Sequence, residues 1–522
     1  LFMTNVNQFG TSEAVPNMIT WGEAAEGGFM NFRPSLKEAA EIAAKDKSYK
    51  LIPVSCEILS DTRTPIEVLK ILKNVSGHCY LLESVENTEK WGRYTFLGFD
   101  PTMEITCVDK VMKMGSITVK TDSPKDYLRQ ILSEHKSPKI DYLPPFTGGL
   151  VGYFSYDYLK YTEPSLNMDA ADTEGFKDFD LMLFDKVIAF DNYRQKLILI
   201  CNIETGESAE ELEVNYNKAK LELKSLKELI LNGEAKAEKG GRLLEEPKPF
   251  FDKDAYCAMV EKAKHYIKEG DIFQIVLSNV LSAGFEGSLL NTYRVLRTLN
   301  PSPYMFYFSG QDVEVAGASP ETLVKLEDGV LHTFPLAGTR PRGKTEAEDK
   351  ALEEGLLKDE KELAEHNMLV DLGRNDLGRI SKFGTVEVEK LHSIERYSHV
   401  MHIGSTVRGI IRDDMDALDA VGSVLPAGTL SGAPKIRACQ LINELENNKR
   451  GIYGGAIGYI DFTGNLDTCI AIRIAYKKGG KVYVRSGAGI VADSVPENEY
   501  KECINKAAAV VKALQSAGEI EA

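Results

Sequence analysis

Two pairs of glutamates, each spaced three residues apart, carry the clearest chemical signal in this 522-residue sequence. Glu362 and Glu365 lie in ELAEHNMLVDLGRNDLGRIS, with His366 four residues after Glu362. Glu499 and Glu502 lie in SVPENEYKECINKA, with Lys506 one turn further on. Side chains three and four apart on a helix share a face, so each pair sets two carboxylates side by side. Two such faces meeting across a cleft form an oxygen-only site for a hard divalent cation such as Mg²⁺. That ion usually takes one or two protein carboxylates and completes its shell with water and substrate oxygens. Taken singly, each pair is also what a solvated helix face looks like. The Glu-x-x-His spacing of a di-iron bundle occurs at Glu389 and His392, but it follows the β-leaning run 384–388 and is set aside.

Other polar residues sit where backbone can approach a ligand. PLAGTRPRG (335–343) is a loop broken by Gly and Pro in which Thr339, Arg340 and Arg342 can hold a carboxylate. VMHIGSTVRG places His402 in a strand, where it is either a satisfied structural residue or a general base facing the glutamates. LPAGTLSGAPK runs from Thr429 into a helix start at Pro434, a natural anion position. Gly487 and Gly489 in VRSGAGIVADS admit close backbone approach, with Arg473 in the preceding strand.

These groups need elements to position them. Leu363, Leu369, Val370 and Leu372 give the first glutamate helix an apolar stripe. Strands are expected at LIPVSCEIL, CYLLESVE, RYTFLGF, MEITCV, LMLFDKVIAF and KLILICNI, then a long helix over 207–231. The polar, Gly- and Pro-containing stretch 232–249 reads as a linker. Beyond it come a helix with Tyr256, Val260, Ala263 and Ile267 on one stripe, a buried strand, and helices near 345–381, 415–424, 434–446 and 497–516. GGLVGYF (148–154) and GGAIGYI (454–460) share a Gly-Gly-x-x-Gly-Tyr frame, either as related strands of neighbouring sheets or by coincidence. Strands cluster in antiparallel runs, which favours an α+β fold of antiparallel sheets packed together and wrapped by helices.

The net charge of −16 argues against nucleic acid or an anionic membrane as partner. Eight cysteines without a C-x-x-C pair argue against a zinc site or disulfide scaffold and fit a cytoplasmic protein. Residues 1–32 contain no Lys or Arg and no long apolar run, so they resemble neither a secretory signal nor a transit peptide. Residues 1–35 are expected to be a disordered or non-native extension, with Met30 a candidate start.

Read together, GASPETL, PLAGTRPRG, ELAEHNMLVDLGRNDLGRIS, VMHIGSTVRG, LPAGTLSGAPK, YGGAIGY and SGAGIVADSVPENE, in this order, resemble the chorismate-utilising enzyme family. LLES (81–84) and NPSPYMFY (300–307) make the anthranilate synthase component I branch the most similar. The resemblance spans most of residues 36–516. It implies that Glu365 and Glu502 hold Mg²⁺ directly and Glu362 and Glu499 through water. Glu321 would help the C4 hydroxyl of chorismate leave, and His402 would take the C2 proton. Tyr453 and Arg473 would bind the enolpyruvyl carboxylate, and Gly338, Thr339, Thr429, Gly487, Gly489 and Lys506 would line the rest. Leu81, Glu83, Ser84, Pro303, Tyr304 and Met305 would form a tryptophan feedback site. Tyr500 and Lys501 depart from the small or acidic residues usual between the two glutamates.

The same resemblance implies an N-terminal domain (36–231) contributing to that feedback site and a catalytic domain (250–519). It implies ammonia as nucleophile, a glutamine amidotransferase subunit as its source, and hence a hetero-oligomer. Ala337 separates this branch from aminodeoxychorismate, isochorismate and salicylate synthases, which have Lys at that position and thus an amine or base there. The rival readings are aminodeoxychorismate synthase component I and a tryptophan-binding sensor without catalysis.

Overall fold

The segments flanking 232–249 are joined by strand pairing rather than merely packed. The computed structural model describes residues 30–84, 92–235, 240–397 and 400–520. From Phe32 onward the chain forms one compact unit. Among the described residues it has two antiparallel sheets of 14 and 12 strands, and both take strands from either side of 232–249. In the first, Cys79–Glu83 pairs with Tyr304–Ser309, with Glu83 opposite Met305 and Leu81 opposite Tyr307. In the second, Gly149–Phe154 pairs with Ala456–Asp461. Arg242–Leu243 and Lys248–Pro249, within the stretch read as linker, themselves pair with Gln274–Glu286.

The period-2 pattern of the strands explains the layering. Along Gly149–Phe154, Leu150 and Phe154 face one core, while Val151 and Tyr153 face the other. Met182 and Phe184 join the second core, and Leu181 and Leu183 the first. The layer shared by the sheets is aromatic: Tyr80 meets Phe184 edge-on at 4.8 Å, and Phe96 meets Phe146 at 5.5 Å. The antiparallel sheets wrapped by helices agree with the α+β expectation.

The Gly-Gly-x-x-Gly-Tyr echo has a physical basis in direct pairing within one sheet, not in neighbouring sheets. Gly152 stands opposite Gly458. Their φ values are +153° and +159°. A Cβ at Gly458 would lie 2.0 Å from the Asp467 carbonyl oxygen, and one at Gly152 2.0 Å from that of Asp180. Gly458→Ala is therefore expected to destabilise the fold by about 3 kcal/mol or more, read as a lowered denaturant midpoint.

Helical expectations hold with one division. The stretch 345–381 forms two helices, Glu346–Leu356 and Glu360–Gly378. Between them Asp359 caps the second, accepting from the Lys361 and Glu362 amides at 3.2 Å. Leu369 and Val370 are buried, as the stripe requires, and Leu363 packs against the buried cluster of Leu356, Met401 and Ile403. The long helix is Ala209–Asn232, and the C-terminal one is Pro496–Ser516, with Pro at its first position. Residues 1–29 of the expected extension lie outside the described residues. Its last residues belong to the fold: Phe32 and Arg33 pair with Cys56 and Ser55, and Ser35 caps a helix.

Candidate active site

The two glutamate helices border a common space together with the ends of strands from both sheets. Gln274, at the start of its strand, donates from Nε2 to Glu365 Oε1 at 3.3 Å. A Cβ at Gly489 would sit 2.8 Å from that Gln274 nitrogen, so the glycine makes room for the contact. Lys506 donates to the Gly487 carbonyl at 3.1 Å and pairs with Glu502 at 2.7 Å. A Cβ on Gly487 would come within 3.1 Å of the Tyr453 hydroxyl. Arg473, Glu502 and Lys506 line one open cavity of about 470 Å³.

Burial raises the carboxyls of Glu365 and Glu499, and each is raised further by its own Glu-x-x-Glu partner, Glu362 or Glu502. Lys506 and Lys361 oppose the shift at both. Lys506, on the second glutamate helix, thus acts on Glu365, and Lys361, on the first, acts on Glu499. Among the described residues, no set of three or more His, Cys, Asp or Glu side chains is grouped closely enough to hold a metal. The donors on the two helices are carboxylate oxygens, the ligand type that a hard cation takes.

His402 is fixed by a bulge in the strand beside it. Leu336–Pro341 pairs with Val400–Ile410, and the register shifts between Ala337 and Thr339. Gly338, at φ +66°, absorbs the shift. Its carbonyl accepts from His402 Nδ1 at 2.8 Å, and the Thr339 hydroxyl lies 3.1 Å from the same nitrogen. A carbonyl only accepts, so Nδ1 carries the proton and Nε2 is the basic nitrogen. Burial lowers the imidazole pKa, so the ring stays neutral near pH 7.

Glu321 shows the opposite shift. Burial pushes its carboxyl up to about 7 against the Thr429 hydroxyl, which donates at 3.0 Å, and against the charges of Lys506 and Arg473. Arg473 donates to Asn300 Oδ1 at 3.0 Å and also bears on His402. Its backbone is held at φ +53°, an uncommon conformation for a side-chain-bearing residue and one found at functional sites. The buried Arg450 steadies this wall from behind, donating to the Leu430 carbonyl next to Thr429 at 2.6 Å.

Two expected ligand groups are committed elsewhere. Arg340 donates to Asp359 at 2.7 Å and Glu362 at 3.3 Å. Arg342 is bidentate to Asp349, whose carboxyl it holds down to about 2, and donates to the Tyr397 carbonyl at 2.8 Å. Both arginines therefore neutralise the protein's own acids.

A second cavity, of about 380 Å³, lies where LLES meets NPSPYM, within the usual range of ligand pockets. Glu83, Ser84, Pro303, Tyr304 and Met305 line it; Leu81 is fully buried, and Leu82 takes the lining position. The Arg297 guanidinium donates to Glu83 at 3.0 Å, and the Tyr293 hydroxyl donates to the same carboxylate. The opposite wall comes from the second sheet, including Leu336 and residues 404–406, and Pro320 and Thr322 reach it from either side of Glu321. Gln274, Tyr293 and Arg297 lay outside the sequence motifs, and their isolated polar side chains gave no local signal.

The family model described as chorismate binding enzyme matches residues 77–512. The chain is 47% identical over 500 residues to anthranilate synthase component 1 of Acetivibrio thermocellus, covering 94% of this chain and all of that protein. It is 44% identical over 506 residues to the protein of that name from Aquifex aeolicus, covering 94% and 99%. Its fold matches the crystal structure of anthranilate synthase component I from Streptococcus pneumoniae with a TM-score of 0.71 at 36% identity, over 87% of this chain and 99% of that one. The menaquinone-specific isochorismate synthase from Escherichia coli shares the fold at 21% identity, with a TM-score of 0.67 over 92% of this chain and all of that one. With these motifs in one space, the chain belongs to the chorismate binding enzyme family, and within it to the anthranilate synthase component 1 branch.

Proposed function

We propose that this member of the branch converts chorismate and ammonia into anthranilate, pyruvate and water. The observation that carries the reading is a pair of groups that burial tunes in opposite directions: a carboxyl held protonated to about pH 7 at Glu321, and an imidazole held neutral at His402. Environments that push two titratable groups apart assign acid and base. In the first step ammonia bonds to C2, and the C4 hydroxyl leaves as water with the Glu321 proton. In the second, His402 Nε2 takes the C2 proton, the bond from ring to enolpyruvyl oxygen breaks, and pyruvate departs as the ring becomes aromatic. Arg473 and Lys506 bind the anionic substrate. Glu365 and Glu502 would hold Mg²⁺ directly, and Glu362 and Glu499 through water; when bound, the ion neutralises the ring carboxylate. A separate glutaminase subunit supplies ammonia from glutamine, giving a hetero-oligomer. Among the described residues no helix is long and apolar enough to cross a membrane.

The reading is tested by anthranilate fluorescence with chorismate, ammonium and Mg²⁺. Production of aminodeoxychorismate instead, or tryptophan binding with no turnover, would install one of the rival readings. The pH profile carries a sign. A raised carboxyl keeps its proton below its pKa and loses it above, so at fixed free-base ammonia kcat/KM is expected to fall as pH rises through about 7. Glu321→Gln should lose about 10²–10⁴-fold and abolish that alkaline limb. A Gln variant keeping the limb would remove Glu321 as the acid.

The cavity between the sheets is proposed to bind tryptophan as feedback inhibitor, with Glu83 and Ser84 at its polar end and Pro303, Tyr304 and Met305 against the indole. Ser84→Phe is expected to leave uninhibited turnover within about twofold and to abolish inhibition, a coupling ordinarily worth about 1–3 kcal/mol. Full tryptophan affinity in this variant by calorimetry would place the inhibitor elsewhere.

A further inference from the structure

We propose that a buried contact between His366 and Ser405 links occupancy of the cavity to Glu365, with His366 acting as a positioning residue for the carboxylates of the Glu360–Gly378 helix. The proposal rests on the reading of that cavity as the tryptophan site.

His366 has no part in the chemistry outlined above, yet it is fully buried beside Glu365 on the helix. Its Nε2 lies 2.6 Å from Ser405 Oγ. Ser405 Oγ also accepts from the His392 amide at 3.1 Å, and Ser405 lies in the cavity wall between Gly404 and Thr406. A second tie runs parallel: His392 Nε2 is 2.8 Å from Asn367 Oδ1, and the His392 and His366 rings meet edge-on at 5.6 Å. The strand Val400–Ile410 thus touches the cavity at 404–406, carries His402 two residues earlier, and grips the helix at the residue following Glu365.

A buried polar contact of this length transmits displacement because breaking it leaves the His366 ring without a hydrogen-bond partner away from water. A ligand pressing on the wall at Ser405 therefore moves His366 with it, and Glu365 lies one peptide bond from His366. Two side chains and one strand connect the sites, and both ligands act on the same element.

The test is calorimetric titration of tryptophan into the full chain with Mg²⁺, with and without chorismate, in the absence of an ammonia source. In the wild type chorismate is expected to weaken tryptophan binding at least fivefold. In His366→Leu, similar in volume but unable to make the bond, that ratio should fall below twofold while tryptophan affinity without chorismate stays within threefold. His366→Gln, which can place an amide near the Nε2 position, should recover at least half of the ratio. If His366→Leu shows no cooperative melting transition, Ser405→Ala takes its place, because the ratio reports coupling even when a wall residue changes affinity. A wild-type ratio retained in either variant overturns the link. A wild type that binds no tryptophan, or binds it indifferently to chorismate, overturns the regulatory reading itself and this inference with it.

Discussion

Glu365→Gln and Glu502→Gln are each expected to lose at least about 10²-fold in turnover while melting at or near the wild-type temperature. The separation of activity from stability follows from burial. Glu365 has its carboxyl raised in the folded state, so the fold binds its proton more tightly than the unfolded chain does. Above the unfolded pKa that shift is a penalty on the folded state, and a neutral isostere removes it. Glu502 is about half exposed and loses only a helical ion pair with Lys506, ordinarily about 0.3–0.5 kcal/mol. Excess Mg²⁺ should restore either variant only in part. Near-normal turnover at low Mg²⁺ in either one would remove the carboxylate pairs from the chemistry.

Ala337→Lys is expected to lower anthranilate formation by at least about 10²-fold, measured by chromatographic product analysis. Ala337 stands opposite Ile403 at the bulge that fixes His402, one residue before the Gly338 carbonyl that holds the imidazole. A lysine there adds the long cationic amine that the related synthases carry, and we propose that it takes the space ammonia needs. Unchanged anthranilate output would show that position 337 does not face the nucleophile.

The site was legible in the sequence where its chemistry follows helical or strand period. Glu362 with Glu365, and Glu499 with Glu502, could be paired from spacing alone, because a helix fixes which side chains share a face. The Leu363–Leu372 stripe and the helix over 207–231 were legible for the same reason. Strand partners were not. Nothing local in CYLLE or YMFYFS states that they pair across more than 200 residues, or that Gly152 meets Gly458, since register is decided by contacts made only in the folded sheet. The arginines of PLAGTRPRG looked available for a ligand because Asp349, Asp359 and Glu362, which occupy them, arrive from other elements. Likewise Leu82 rather than Leu81 faces the cavity, a choice that only the pairing with Tyr304–Ser309 fixes.

The sharing of both sheets across 232–249 sets a timetable for synthesis. Cys79–Glu83 has no outer neighbour in its sheet until Tyr304–Ser309 has been made, and Gly149–Phe154 waits for Ala456–Asp461. At about 5–20 residues per second the first interval alone lasts roughly 10–45 s, during which apolar strand edges stand open on the nascent chain. The N-terminal portion therefore completes its sheets only near the end of translation.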